Sequence, residues 1–263
     1  MTDHFIWKNP EYEKEMFAGT SRNPVYAVIA AAGSGSRMGL PGNKQFLAIN
    51  GVPVIVRSLR ILNSIDAISG MVVVASADEC TAMQDLLSDC RFPRLMAITA
   101  GGSSRQASVA NGLETLKMLA DPARDSPVLV HDGARCFVPQ AVVERVISGI
   151  QEHQACGAAV PVKDTIKIAD ATGRVVTTPE RNRLWAMQTP QGALWHLLYA
   201  SYQLAVARSY QATDDLVVLE QAGHPAFLVM GDYGNIKITT QEDLQVSNWL
   251  ASRQDESGSG SVR

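Results

Sequence analysis

Short apolar runs that alternate with helical patterns constrain the fold of this chain more than any other feature. Nearly uninterrupted runs, typical of strands buried on both faces of a parallel sheet, occupy residues 25–31, 71–75, 95–100, 128–130 and 158–162. Helical patterns between them occupy residues 53–63, 103–118 and 142–150. Strands that alternate with helices form βαβ units. The sequence therefore predicts an α/β fold in which helices flank a Rossmann-like, mostly parallel sheet.

The alternation stops after Val162. Residues 163–189 are polar and β-prone, with a turn signal at 170–173, and this pattern predicts a projecting β-hairpin arm. The remaining pattern predicts helices at 192–209, 214–222 and 241–253, and strands at 226–230 and 235–238. We expect a single domain over residues 25–253, preceded by an N-terminal extension at 1–24 and followed by a flexible Gly/Ser tail at 254–263.

Charge and composition narrow the function classes. The net charge of -3 provides no basic field for a nucleic-acid backbone, so a small substrate held by local cations is expected. The four cysteines form no C-x-x-C pair, which favours reduced thiols in a cytosolic protein. No apolar run approaches the roughly 20 residues that span a bilayer, so no membrane partner is expected.

A glycine-rich loop from Gly33 to Gly39 follows the first predicted strand. Its small residues let backbone N–H groups approach phosphate oxygens, and ligands of α/β sheets bind at the carboxyl ends of strands. The spacing G-x-G-x-x-x-G matches neither the dinucleotide fingerprint nor the P-loop, so a plain turn is the alternative. Arg37 and Lys44 flank the loop and favour a polyphosphate ligand, since two cations complement its charge.

Two other strand ends carry candidate groups. Gly102 belongs to a glycine pair before a helix that Ser103 or Ser104 can cap, a pattern that suits nucleobase edges or anions but also an ordinary helix start. Asp132 directly follows a buried strand and is suited to hold Mg²⁺ or a ribose hydroxyl, with helix capping as the alternative.

Further polar residues lie on or after the predicted arm. Thr165, Arg181 and Thr189 offer hydroxyls and charge to a phosphate-bearing acceptor, although exposed β-ribbons are often polar anyway. Lys237 ends a predicted strand and is either another cation at the phosphates or simply solvated. No Ser-His-Asp elbow or H-E-x-x-H pattern is present.

The order of these motifs resembles the 2-C-methyl-D-erythritol 4-phosphate cytidylyltransferase family from about residue 25 to residue 250. Each block is weak alone, but their ordered combination is specific. The blocks are residues 31–39 with 44–47, 101–105, 131–135, 161–167, 184–191 and 235–239.

The resemblance implies a cytidylyltransferase that joins CTP and a sugar-alcohol phosphate, 2-C-methyl-D-erythritol 4-phosphate, with Mg²⁺, in non-mevalonate isoprenoid biosynthesis. It assigns the triphosphate charge to Arg37, Lys44 and Lys237, and the ribose or Mg²⁺ to Asp132. The implied CTP-binding residues are Ala31, Ala32, Gly33, Gly35, Gly102 and Ser108. It assigns the acceptor to Thr165, Arg181 and Thr189. It also implies a homodimer in which the arm reaches across to the other subunit.

The chain departs from the family pattern at Gly133, where Ala is frequent, at Cys136, where Pro is common, and at Gly42-Asn43 before Lys44. Three alternatives stay open. Ribitol 5-phosphate cytidylyltransferases usually carry Ser-Val-Arg after the aspartate, so Gly133-Ala134-Arg135 favours methylerythritol phosphate. A nicotinamide-dependent oxidoreductase needs tighter glycine spacing. A non-catalytic nucleotide-binding protein would have less use for the retained cations.

Overall fold

A computed structural model describes residues 5–12, 24–33 and 43–258, with side chains through residue 253. The described strands are β1 (Ile6–Lys8), β2 (Val25–Ala30), β3 (Ala48–Ile49), β4 (Val52–Pro53), β5 (Ile68–Ala75), β6 (Leu95–Ala100), β7 (Pro127–Asp132), β8 (Ala155–Pro161), β9 (Ile168–Ala169), β10 (Val175–Thr177), β11 (Trp185–Leu194) and β12 (Phe227–Met230). The described α-helices are α1 (Val54–Asn63), α2 (Cys80–Ser88), α3 (Arg105–Ala120), α4 (Gln140–His153), α5 (Trp195–Arg208), α6 (Asp215–Gln221) and α7 (Gln241–Gly258).

Eight strands form one sheet in the order β1-β6-β5-β2-β7-β11-β8-β12. The pairs β6–β5, β5–β2, β2–β7 and β8–β12 are parallel, whereas β1–β6, β7–β11 and β11–β8 are antiparallel. The prediction of an α/β fold with a mostly parallel sheet is confirmed. In the described part of the chain, no helix is both long and apolar enough to cross a bilayer.

The core has a layer on each face of the sheet. Helices α1, α2 and α4 bury apolar side chains such as Leu59, Met83 and Val146 against one face. Helices α3, α5 and α6 cover the other face with residues such as Leu113 and Leu198. The central strands are covered on both sides, which explains why their sequences are continuous apolar runs.

The strand order reverses between β2 and β7. From β2 the chain builds outward through β5 to β6, and it then returns to place β7 on the other side of β2. The connections after β2 and β7 therefore leave the sheet in different directions, which opens a crevice at their carboxyl ends. Residues 31–33 follow β2 into this crevice, and Asp132 is the last residue of β7.

Strand β11 differs from the predicted secondary structure. Residues 185–189 were assigned to the arm and residues 192–194 to a helix, but all of them belong to this strand between β7 and β8. A Cβ on Gly192 would stand 2.1 Å from the carbonyl oxygen of Val128, so the close pairing with β7 requires a glycine there. The helix begins three residues later than predicted, at Trp195.

Three smaller differences concern other segments. The predicted strand at 235–238 is wrong, because these residues form a loop in which the side chain of Asn235 donates to the carbonyl of Thr189 at 2.9 Å. Helix α2 was not predicted. Strand β1 comes from the segment assigned to the N-terminal extension and pairs with β6, with Ile6 opposite Thr99.

The predicted hairpin is present as the short pair β9 and β10. Its apolar side chains are exposed, with relative exposures of 50% for Ile168, 53% for Val175 and 63% for Val176. The arm therefore presents an exposed apolar surface.

Candidate active site

A cavity of about 420 Å³ lies at the carboxyl ends of β2, β6 and β7. Small residues form much of its lining, and three cations border it. The lining residues are Ala30, Ala32, Gly33, Lys44, Gln45, Gly102, Ser103, Ser104, Arg105, Ser108, Asp132, Ala134 and Lys237. The structure thus brings together residues from four of the sequence blocks.

The segment after β2 forms one wall of the cavity. Ala31 continues the sheet through its N–H, which donates to the carbonyl of Val74 at 2.8 Å. Ala32 and Gly33 then line the cavity, and a Cβ on Gly33 would meet no atom within 4 Å in the part of the chain that the structure describes. The predicted phosphate-loop residues Gly35 and Arg37 lie outside the described residues.

Lys44 is held at the cavity by a short 3₁₀ turn, Lys44–Phe46. Asn43 caps this turn, since its side-chain oxygen accepts from the N–H of Gln45 at 3.1 Å. Lys44 is 8% exposed, so its placement depends on the turn and not on a freely moving surface side chain. Asn43, a departure from the family pattern, is therefore compatible with a well-placed lysine.

The glycine pair after β6 forms the wall that adjoins Ala32. A Cβ on Gly101 would stand 2.7 Å from the Ala32 methyl, and one on Gly102 would stand 2.6 Å from the Ala107 methyl. Ser104 caps α3 as predicted by accepting from the N–H of Ala107 at 3.1 Å. The Ser108 hydroxyl accepts from the N–H of Gly102 at 3.1 Å, so it also fixes this turn.

Asp132 carries a cation on each carboxylate oxygen. Its Oδ1 lies 2.9 Å from Nε of Arg105, and its Oδ2 lies 2.6 Å from Nζ of Lys237. Burial raises the pKa of Asp132, but the attraction of Arg105 and Lys237 outweighs this effect and holds the pKa well below its ordinary value. Asp132 is therefore an ionised carboxylate. The helix-capping alternative is wrong, because the following helix begins at Gln140.

Arg105 connects Asp132 to a second, deeper carboxylate. Its two terminal nitrogens lie 2.9 and 2.8 Å from the two oxygens of Asp215, which is fully buried. The hydroxyl of Tyr202 donates to Asp215 at 2.5 Å. Burial and the charge of Asp215 raise the pKa of Tyr202 well above its ordinary value, so the hydroxyl keeps its proton.

Arg105 and Asp215 were both missed by reasoning from the sequence. Arg105 belongs to the glycine-pair block, which offered a signal, because an arginine in the first turn of a helix opposes the helix dipole. Asp215 is 110 residues away along the chain, and nothing in the local pattern connects the two.

Thr189 lies at the root of the arm and is 3% exposed. Its hydroxyl accepts from the N–H of Asp132 at 3.0 Å and lies 3.2 Å from Nδ1 of His131. Burial lowers the pKa of His131 to about 4, so this imidazole is neutral near pH 7. Thr189 therefore fixes the backbone at the end of β7.

Thr165 and Arg181 lie apart from the described lining of the cavity. Both are exposed on the arm, and Arg181 donates from Nη1 to the carbonyl of Lys163 at 3.1 Å. The structure therefore divides the predicted site residues into a group at the cavity and a group on the arm.

The fit of a divalent cation rests on Asp132. It is the one carboxylate among the described residues that line the cavity, and no cluster of three or more potential metal ligands occurs in the described part of the chain. Mg²⁺ is commonly held by one or two carboxylates together with water and substrate phosphates. These donors suit an ion that arrives with the substrate phosphates and shares Asp132 with Lys237. They do not suit a site in which protein groups alone hold the metal.

A family model described as 2-C-methyl-D-erythritol 4-phosphate cytidylyltransferase matches residues 25–253. A curated relative of that description from Desulforamulus reducens is 40% identical over 232 residues, which are 88% of this chain and 97% of the relative. One from Geobacillus kaustophilus is 39% identical over 231 residues, which are 88% of this chain and 98% of the relative.

Solved structures agree with the sequence relatives. A 4-diphosphocytidyl-2C-methyl-D-erythritol synthase from Anaerococcus prevotii matches with a TM-score of 0.76 and 30% identity, over 90% of this chain and 99% of that chain. The 2-C-methyl-D-erythritol 4-phosphate cytidylyltransferase of Francisella tularensis matches with a TM-score of 0.73 and 25% identity, over 86% of this chain and 99% of that chain. The family match begins at residue 25, so β1 lies ahead of it.

Proposed function

This chain belongs to the 2-C-methyl-D-erythritol 4-phosphate cytidylyltransferase family, and we propose that the cavity between the ends of β2 and β7 is its CTP site. It is a nucleotidyltransferase of non-mevalonate isoprenoid biosynthesis, which joins CTP and 2-C-methyl-D-erythritol 4-phosphate and releases pyrophosphate. One observation carries the assignment of the site. Three cations, Lys44, Arg105 and Lys237, border a cavity whose other walls are mostly small residues at strand ends.

Within this site the cations and the amides have separate tasks. Lys44 and Lys237, together with Arg37 of the glycine-rich loop, neutralise the triphosphate. The main chain at Ala31, Ala32, Gly33, Gly35 and Gly102 approaches the nucleotide closely, because these residues carry at most a methyl group. Ser108 keeps the Gly102 turn in place beside the base.

The reaction needs positioning more than covalent chemistry. A phosphate oxygen of the acceptor attacks the α-phosphorus of CTP in line, the bond from the α-phosphorus to the bridging oxygen breaks, and pyrophosphate leaves with that oxygen. Lys44 and Lys237 stabilise the charge that develops on the phosphates. Arg105 and Lys237 keep Asp132 ionised, so that it accepts hydrogen bonds from the ribose or shares a metal ion.

We propose Mg²⁺ as the cofactor, held by Asp132 and the triphosphate. When bound, it neutralises phosphate charge and orients the leaving pyrophosphate. The single carboxylate at the cavity supports an ion that enters with its nucleotide.

For the acceptor, we propose that Thr165 and Arg181 act on the neighbouring subunit of a homodimer. Two observations support this proposal. The two residues are exposed on the arm, apart from the cavity of their own subunit, and the arm presents uncovered apolar side chains. Thr189 supports the same site from beneath, by fixing Asp132 and the base of the arm.

The function is tested by pyrophosphate release from CTP, UTP, ATP and GTP, each combined with methylerythritol phosphate or ribitol 5-phosphate. We expect release from CTP with methylerythritol phosphate alone. Equal release with ribitol 5-phosphate would contradict the acceptor assignment. Binding of CTP without release from either acceptor would indicate a nucleotide-binding protein and not an enzyme.

A further inference from the structure

Arg105 occupies a position that local preference disfavours. It is the first residue of α3, where the unpaired N–H groups make the helix end positive and therefore disfavour a cation. The helix has an ordinary cap in Ser104 and gains nothing from an arginine there. The tertiary contacts of Arg105 therefore have to offset this local disadvantage.

Those contacts hold the guanidinium group on two sides. Nε binds Asp132 at 2.9 Å, while the two terminal nitrogens bind both oxygens of Asp215 at 2.9 and 2.8 Å. A planar guanidinium that pairs in this forked way has little rotational freedom. Arg105 therefore cannot move without breaking its contacts with both carboxylates.

Asp215 is itself fixed. Its side chain has no exposed surface, and the Tyr202 hydroxyl donates to it. Its backbone N–H donates to the side-chain oxygen of Gln191 at 3.0 Å, and its neighbour Asp214 caps the same helix through the N–H of Val217 at 2.9 Å. The guanidinium of Arg105 is thus attached to the core between α3, α5 and α6, and not to a mobile surface group.

At the other end of this chain of contacts, Arg105 and Lys237 occupy opposite oxygens of Asp132. Lys237 is also one of the cations that the proposed CTP site assigns to the phosphates. When Lys237 turns toward a triphosphate, Asp132 loses that partner, and Arg105 is the protein cation that still holds it.

We propose that Arg105, held by Asp215, is a positioning residue that keeps Asp132 in place while Lys237 engages the substrate. This inference rests on the proposed CTP site and deepens it. Asp215 and Tyr202 act through Arg105 and do not touch the nucleotide. The alternative is that the pair is a purely structural ion pair, whose loss changes stability and leaves catalysis alone.

The test compares Asp215→Asn with Asp214→Asn in the full-length enzyme. Both changes remove one carboxylate at the start of α6, but asparagine is still a good helix cap at 214, and Asp214 makes no contact with Arg105 among the described hydrogen bonds. We expect Asp215→Asn to lower kcat about tenfold with less than a twofold change in the KM for CTP, since small misplacements of a reacting group cost up to about 100-fold. Asp214→Asn should retain the wild-type kcat.

A double-variant comparison separates positioning from stability. If Asp215 acts through Asp132, adding Asp215→Asn to Asp132→Asn should lower kcat by less than twofold further, although Asp215→Asn should still lower the unfolding temperature in that background. A further tenfold loss in the double variant would overturn the proposal. So would a wild-type kcat in Asp215→Asn.

A second variant and a control on the wild-type enzyme cover two other outcomes. If Asp215→Asn does not fold, Tyr202→Phe removes one hydrogen bond to Asp215 and should lower kcat two- to threefold, with no further loss in the Asp132→Asn background. An unchanged kcat of Tyr202→Phe in the otherwise wild-type enzyme would overturn the proposal. Failure of the proposed function is recognised separately, because the wild-type enzyme would then release no pyrophosphate from CTP and methylerythritol phosphate.

Discussion

Gly101 and Ala32 approach each other closely where two walls of the cavity meet. A Cβ on Gly101 would stand 2.7 Å from the Ala32 methyl. The same Cβ would also stand 2.7 Å from the Ser108 hydroxyl. The end of β6 and the segment after β2 can approach this closely only when residue 101 has no side chain.

Replacement of Gly101 by alanine should therefore disturb both walls at once. We expect Gly101→Ala to lower the unfolding temperature, since overpacking costs about 1–3 kcal/mol, and to raise the KM for CTP. Gly33→Ala is the comparison, because a Cβ there meets no atom of the described residues within 4 Å. It should leave the unfolding temperature unchanged, and its KM for CTP reports how closely a phosphate approaches residue 33. Equal unfolding temperatures for the two variants would contradict this account.

Removal of the Lys44 charge should affect the reaction and not the fold. We expect Lys44→Ala to lower kcat by a factor of about 10² or more, which is typical for the loss of one contact that stabilises transition-state charge. Lys117→Ala is a suitable control, because Lys117 is an exposed lysine that contacts Tyr199 far from the cavity. Steady-state pyrophosphate release measures both variants, and near-normal turnover in Lys44→Ala would remove this lysine from the mechanism.

The buried imidazole of His131 predicts a pH dependence of stability in the metal-free protein. Its folded pKa is lowered by burial to about 4, whereas the unfolded value is near 6.5. The unfolded chain therefore binds a proton first as the pH falls. The contribution of about 3 kcal/mol is present above pH 6.5 and is lost between pH 6.5 and pH 4. Urea unfolding across this range should show the slope.

His131→Asn should flatten that slope by about one proton. His153→Gln is the control, because His153 stacks on Phe227 of the edge strand β12, three strands away from β7. If wild type and His131→Asn show the same slope, His131 does not enter the fold as a neutral group.

Strand β1 should contribute to stability although it precedes the region that matches the family. Trp7 packs against the core beside β6, so we expect Trp7→Ala to lower the free energy of unfolding by about 2 kcal/mol. Lys8, the next residue, is exposed, and Lys8→Ala should change stability by less than about 0.5 kcal/mol. Chemical denaturation distinguishes the two, and a neutral Trp7→Ala would mean that β1 is dispensable.

The arm proposal predicts complementation between two inactive variants. In a mixed dimer of Lys237→Ala and Arg181→Ala subunits, one shared site would hold both defects and the other would hold none. After subunit exchange, half of the dimers are mixed, so about a quarter of the wild-type activity should return. A mixture that stays inactive after exchange would indicate that each arm serves its own subunit.

The sequence predicted those parts of the fold that depend on local pattern. The parallel strands were found because burial on both faces makes them continuous apolar runs, and Ser104 was found because a helix cap is a local contact. Strand β11 was not found from the sequence, because Gly192 and its polar neighbours suit a strand only when β7 and β8 lie on either side.

The candidate site shows the same difference between residues in local motifs and residues that meet only through the fold. Asp132 and Lys44 belong to motifs that are contiguous in sequence, and the structure places both at the cavity. The pairing of Arg105 with Asp215 depends on α3 and α6 packing on one face of the sheet, which no local pattern encodes. Thr189 could be recognised as part of a motif, but its burial beneath Asp132 could not.

The direction of β1 has a practical consequence for work with this enzyme. Because Ile6 lies opposite Thr99 and the carbonyl of Phe5 accepts from the N–H of Ala100, the chain enters the sheet at the level of the residue just before Gly101. A fluorophore attached at position 5 would therefore lie beside the proposed nucleotide cleft. Position 5 is thus a poor attachment point for assays of turnover, but a favourable one for an optical reporter of CTP binding.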